Sequence, residues 1–183
     1  NQSGEHLLGL INEVLDLSKI ESGKLEIERI PCDMLELVAE VETLMCIRAD
    51  AKGLRLAVEF DGPIPRTVRT DPTRIRQILI NLIENSIKFG RQSATRHITI
   101  DVTKHDDHVG VTVADTGPGI PRHALKKVFD DFYRVEDALT RTTGGTGIGL
   151  SLVKKFMQAM RGSVTAANNN GPGCTVTLRL PRD

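Results

Sequence analysis

The stretch "HVGVTVADTGPGI", residues 108–120, decides how this chain is read. Val109, Val111 and Val113 alternate with small or polar residues, the period-two pattern of a half-buried strand. That strand runs into an aspartate and then into two glycines around a proline. The preceding run "RHITIDVTK" (96–104) alternates in the same way, and the polar turn "HDDH" joins the two as a hairpin. Further along, "GGTGIGL" (144–150) sets a second glycine-rich turn at the entry to a helix.

Working outward, "LRLAVEF" (54–60) alternates as another strand, and "RTVRT" (66–70) follows the turn "DGPIP" as a short one. "SVTAAN" (163–168) and "CTVTLRL" (174–180) are two more, around "NNGPG", and "KLEIERI" (24–30) reads as a short strand that Pro31 ends. Between them lie helical patterns. Leu7, Leu10, Ile11, Val14, Leu17 and Ile20 recur at threes and fours from Glu5 to Lys24, with a break at Gly23. The stripe is narrow, so it suits packing against another helix. Asp33 is the expected N-cap of a helix through Lys52, which Gly53 stops. Asp71 with Pro72 caps the next, "TRIRQILINLIENSIKFG", whose Ile75, Ile78, Leu79, Leu82, Ile83 and Ile87 face inward. A short helix near 121–129 and a longer one from about Gly147 to Met160 complete the set. The expected fold is α+β: a mixed, largely antiparallel sheet covered by helices on one face.

Composition narrows the function. The 183 residues carry 24 Lys+Arg against 24 Asp+Glu, so no basic patch argues for nucleic acid or an anionic membrane. No apolar run approaches membrane-spanning length, and no cleavable leader opens the chain. Cys32, Cys46 and Cys174 are scattered, as expected for reduced cysteines of a cytoplasmic protein. The chain opens inside a helical pattern, which suggests a piece of something longer.

Two features carry chemistry. Gly145, Gly147 and Gly149 stand where free N–H groups and a helix dipole favour an anion, although a plain flexible loop would have the same composition. Asn81 and Asn85 sit four apart on one helix face with Lys88 close by. An amide oxygen can ligate Mg²⁺ and a lysine can meet phosphate, while solvent-facing polar positions are the bland reading.

In their order along the chain, "RIRQILINLIENSIKF", "DTGPGI", "FDDFYRV" and "GGTGIGLSLVKKF" resemble the four boxes of the catalytic, ATP-binding domain of histidine kinases. That domain belongs to the wider group of gyrase and Hsp90. "LLGLINEVLDLSKIESGKLEIE" is similar to the end of the dimerisation hairpin that precedes it, dividing the chain into 1–24 and 25–183. The resemblance implies the two-layer α/β sandwich known as the Bergerat ATP-binding fold. It implies ATP and Mg²⁺ as cofactors, with Asn85 as metal ligand and Asn81, Lys88 and Arg134 on the phosphates. By the same resemblance Asp115 reads the adenine amino group, Gly117, Gly119 and Ile120 line the wall beside it, and Thr175 sits near the base. Phe129 and Phe132 anchor a lid reaching to Gly145. The phosphates lie against Gly145, Thr146, Gly147, Ile148, Gly149 and Leu150.

The resemblance also bears on reaction type. Hydrolytic members of the group carry a glutamate where this chain has Asn81, which cannot take a proton. Glu84 is about 100° around the helix from Asn85 and a poor substitute. Transfer to a protein histidine is therefore expected, with relay to a response-regulator receiver domain. A hydrolytic ATPase and a non-catalytic nucleotide sensor are the rivals. No acceptor motif of the His-[Glu/Asp]-x-Arg-Thr-Pro kind is present, and His6 is expected to be an ordinary helix-surface residue. The implied partners are the dimerisation helices of a second copy and the receiver domain, with a membrane reached only through regions outside this sequence. Gly90 and Cys174 depart from the family's usual threonine or serine, and neither is expected to touch the site.

Overall fold

The computed structural model describes residues 2–64, 67–90, 93–135 and 146–182. In chain order the elements are α1 (Gln2–Glu21), β1 (Ile30–Cys32), α2 (Met34–Asp50), β2 (Arg55–Asp61), β3 (Val68–Thr70), α3 (Pro72–Gly90), β4 (His97–Lys104), β5 (His108–Asp115), α4 (Gly149–Ala159), β6 (Ser163–Asn168) and β7 (Cys174–Pro181). Five strands form one sheet in the order β2-β4-β5-β7-β6. Only the β2–β4 pair is parallel; the other three are antiparallel. The expected α+β two-layer architecture is therefore the one observed.

The alternation read from sequence sets the layers. Ile98, Ile100 and Val102 of β4 and Val109, Val111 and Val113 of β5 are all buried beneath the helices. α3 lies at the centre and presents Ile75, Ile78, Leu79, Leu82 and Ile83 to them, each 2% exposed or less. A fully buried side chain of this kind contributes about 1.5–3 kcal/mol, so α3 fastens the two layers. Asp71 starts it: its Oδ1 accepts the Arg74 N–H at 3.0 Å, and its Oδ2 accepts Glu28 N–H at 3.2 Å. One buried carboxylate thus caps α3 and tethers the linker that leads in from α1.

Three expectations about local structure need correction. Residues 24–29 form no strand; the strand is Ile30–Cys32, and it runs through Pro31 rather than stopping there. It pairs only with β3, a two-stranded edge where a missing N–H is tolerated. Residues 121–129 form consecutive turns rather than a short α-helix, with Ala124 N–H bonded to Pro121 O and Lys127 N–H to Ala124 O. The final helix begins at Gly149, not Gly147, because Gly147 holds φ at +74°.

α1 ends at Glu21, before Gly23 at φ +67°. Its apolar stripe is split. Leu17 is buried against the rest of the chain, whereas Leu7, Ile11 and Val14 stay about half exposed. Polar contacts fix the buried end: Asp16 accepts from Arg74 Nη1 at 3.2 Å and from Gln77 Nε2 at 2.9 Å. The Arg74 guanidinium also lies 4.9 Å over the Phe156 ring of α4.

Candidate nucleotide-binding site

The aspartate at the end of β5 is held from three directions. Asp115 is 8% exposed. Its Oδ1 accepts the Gly117 N–H at 2.8 Å, while Ser86 Oγ and Cys174 Sγ stand 3.4 and 3.3 Å from Oδ2. Cys174 therefore does touch the site, contrary to the expectation. Burial and the neighbouring Asp115 charge push its thiol well above the usual range, which keeps it protonated and donating. Gly90 also belongs here: a side chain on Gly117 would begin 3.5 Å from the Gly90 backbone, and one on Gly90 would meet Leu54 at 2.7 Å. Both departures from the family pattern fall on this end of the site. Sequence reading missed them because the contacts join residues far apart in the chain.

Ser86 ties this carboxylate to α3, and the same helix carries the amides. Asn81, Asn85 and Lys88 share one face and all are half-buried. The face from Asn81 to Lys88 spans about 10 Å. The Asn81 Nδ2 is buried with no hydrogen-bond partner among the described residues. Burial first, and then the charge of Arg134, hold the Lys88 ammonium below the usual lysine range. Two cations and an orphaned donor on one side therefore favour a polyanion. Glu84, by contrast, points away and pairs with Arg48 of α2.

The entry to α4 completes the arrangement. Its N-cap is Ile148, which offers no side-chain cap, so the first-turn N–H groups have no side-chain acceptor from that position. Ile148 itself is a core residue, 3% exposed, and Leu150 and Ile120 are partly buried against the core. Gly147 is required where it stands, since a Cβ there would lie 2.9 Å from the Phe132 carbonyl carbon. The two phenylalanines differ. Phe129 is buried, but Phe132 is 65% exposed at φ +60°, so its backbone and not its ring packs beside Gly147. It does not anchor a lid in the core. Gly145 and the rest of the expected lid, 136–145, lie outside the described residues. Thr146 Oγ1 accepts the Ile148 N–H at 3.3 Å and donates to Glu13 Oε2 of α1 at 3.3 Å, a link to the first helix that no local pattern signals.

Thr175, expected beside the base, donates to Asn169 Oδ1 at 2.7 Å; Asn169 Nδ2 in turn donates to the Asp115 carbonyl at 2.9 Å. Gly119 sits at φ +76° against the Gly173 carbonyl. No group of three or more His, Cys, Asp or Glu that could cage a metal occurs among the described residues. Among those residues, too, no helix is long and apolar enough to cross a membrane.

Comparison with known proteins identifies the family. The family described as histidine kinase-, DNA gyrase B- and HSP90-like ATPases matches residues 70–183. The sensor protein GacS of Pseudomonas syringae pv. syringae is 35% identical over 185 residues, covering 99% of this chain and 20% of that protein. The aerobic respiration control sensor ArcB of Escherichia coli is 36% identical over 173 residues, covering 93% of this chain and 22% of that protein. The chain thus spans about a fifth of the length of these curated relatives. Among solved structures, full-length ShkA in complex with AMPPNP superposes with a TM-score of 0.86 at 31% identity, over 99% of this chain and 37% of that one. The catalytic domain of histidine kinase ThkA gives 0.69 at 26% identity, over 86% of this chain and 97% of that one. The chain belongs to the histidine kinase-, DNA gyrase B- and HSP90-like ATPase family, as an ATP-binding domain homologous to those of sensor histidine kinases.

Proposed function

We propose that residues 25–183 bind Mg·ATP and transfer its γ-phosphoryl group to a histidine on a helical hairpin of which residues 1–24 are the end. The observation that carries this reading is the pairing on α3 of two unlike ends. Ser86 touches an acceptor-only carboxylate, while Asn81, Asn85 and Lys88 present donors and positive charge. A ligand with an exocyclic amine at one end and phosphates at the other matches that polarity.

In this reading Asp115 accepts a hydrogen bond from the adenine amino group, which a carboxylate can do and a guanine carbonyl cannot reciprocate. Gly117 and Gly119 leave room for the base, with Ile120 and Thr175 at its margin. Lys88 and Arg134 draw the phosphates in, and Asn81 gives its unpaired N–H to one of them. Thr146, Gly147, Gly149 and Leu150 offer main-chain donors to the phosphates at the entrance of α4. Asn85 would hold Mg²⁺ through its amide oxygen. One protein oxygen suits a cation that keeps its waters and rides on the phosphates, and no carboxylate cage competes among the described residues. When bound, the metal neutralises phosphate charge and helps to align the group for transfer.

The choice of acceptor follows from what the helix lacks. Asn81 cannot accept a proton from water, and Glu84 is engaged with Arg48. The chain then positions and polarises while the attacking nucleophile comes from a histidine on another element. The whole protein would dimerise through that hairpin and pass the phosphoryl group to a receiver-domain aspartate. The test is transfer in trans from labelled ATP to a helical hairpin bearing the acceptor histidine, with released phosphate followed alongside. Label on the hairpin with little free phosphate supports the reading; sustained phosphate release without an acceptor would replace it with a hydrolase.

A further inference from the structure

We infer that Asn168 and Asn169, at the turn between β6 and β7, are positioning residues that hold the base-reading segment 115–120 in place; the inference rests on the adenine role proposed for Asp115. The segment after Asp115 has no regular structure, so its main-chain groups must find partners elsewhere. The two asparagines supply them at both ends. Asn168 Nδ2 donates to the Ile120 carbonyl at 2.7 Å, and its Oδ1 accepts the Ile120 N–H at 2.8 Å, closing a two-bond ring like one rung of a ladder. Asn169 Nδ2 donates to the Asp115 carbonyl at 2.9 Å and to Pro172 O at 3.2 Å, and Thr175 fixes its Oδ1 at 2.7 Å.

Only a short amide fits this task. Each side chain acts as donor and acceptor at once through two separate atoms; an aspartate has no donor to offer, and a serine must make both bonds through one oxygen on a shorter stem. The turn is also pressed against the loop it holds. A Cβ on Gly173 would fall 1.8 Å from the Asp115 carbonyl oxygen, and one on Gly119 would fall 3.0 Å from Asn168 Oδ1. The carbonyl of Asp115 is thus fixed by Asn169, and its carboxylate is aimed by Gly117 N–H at 2.8 Å. Neither asparagine lies in the four boxes, and their effect on the base passes through Asp115.

The experiment compares titrations of ATP, purine riboside triphosphate, which lacks the 6-amino group, and inorganic triphosphate into wild type, D115N, N168A, N169A and the near-isosteric Asn169→Asp. In wild type the amino group is expected to favour ATP about 10- to 100-fold, the range for a hydrogen bond to a charged acceptor. In N169A and Asn169→Asp that ratio is expected to shrink to about threefold or less, with inorganic triphosphate bound as in wild type. N168A is expected to shift in the same direction. A lower affinity for all three ligands at an unchanged ratio would mean a merely structural role and would overturn the inference. So would a full wild-type ratio in both Asn169 variants when D115N has lost it, which leaves the adenine reading standing. If wild type itself shows no preference for the amino group and D115N binds like it, the adenine reading falls and takes this inference with it.

Discussion

Replacing Asp115 by asparagine keeps the shape of the side chain and turns one acceptor oxygen into a donor. The amide oxygen of D115N can keep the shortest contact, the Gly117 N–H at 2.8 Å. Its NH₂ then faces Ser86 and Cys174, at the positions now 3.4 and 3.3 Å from Oδ2. The serine hydroxyl turns to accept, and sulfur accepts weakly, so the fold loses about 1 kcal/mol. For a chain of this size that lowers the melting temperature by roughly 2–4 °C. Adenine loses more. A bond to a charged acceptor is worth about 1.5–3 kcal/mol, and the donor now facing a donor adds about 1 kcal/mol. The sum, about 2.5–4 kcal/mol, weakens ATP binding roughly 70- to 900-fold. Isothermal titration with ATP measures it, beside a thermal melt. ATP affinity within about threefold of wild type, at a native-like melt, would refute the reasoning, and so would an equal loss for inorganic triphosphate.

Two further outcomes are expected. Lys88 binds its proton less tightly folded than unfolded, so its charge costs stability at neutral pH, and that cost fades as pH rises through the lowered value toward 10.5. Bound phosphate favours the ammonium, so ATP affinity should fall as pH is raised from about 8 to about 10; the same slope in Lys88→Met, followed by titration, would exclude Lys88 as its source. Arg74→Ala removes both the 3.2 Å contact to Asp16 and the cover over Phe156. With side chains only 18% and 13% exposed, the pair resists solvent screening, and amide exchange over residues 13–21 should quicken about tenfold. Unchanged exchange there, or faster exchange in β4 and β5 as well, would contradict this.

What the sequence made legible was whatever short-range pattern controls. The alternation of β4 and β5, the Asp71-Pro72 start of α3 and its inward row of isoleucines and leucines are local signals, and they hold in the structure. The linker misled because "KLEIERI" alternates without a sheet edge to pair with, while Pro31 is admitted to a two-stranded edge. Residues 121–129 carry helix-forming lysines, yet bonds from Ala124 and Lys127 to the third preceding residue, with a single fourth-residue bond from Val128, leave the segment in tight turns. Phe132 shows a different limit. The resemblance makes it a lid anchor beside Phe129, but at φ +60° its ring stands 65% exposed while that of Phe129 is buried. In the site, Asp115, Asn81 and Asn85 could be named from boxes, whereas the contacts of Cys174 and the Asn168–Asn169 pair become visible only when β7 is laid beside β5, and that of Gly90 only when the end of α3 meets Gly117.

That ladder has a kinetic consequence. The β4–β5 hairpin closes over a turn at residues 105–107 and belongs to the fastest class of folding events. Residues 108–114 meet 175–181 only after the intervening chain has looped back and α4 has found its place, and such long-range closure is slow. The wall behind Asp115 is therefore expected to form after the hairpin. A chain that stops before residue 163 keeps the hairpin and α3 but has neither Cys174 nor Asn169 to brace the carboxylate. Nucleotide binding is therefore expected to report on completed folding, with such a truncated chain binding ATP more weakly than the full one.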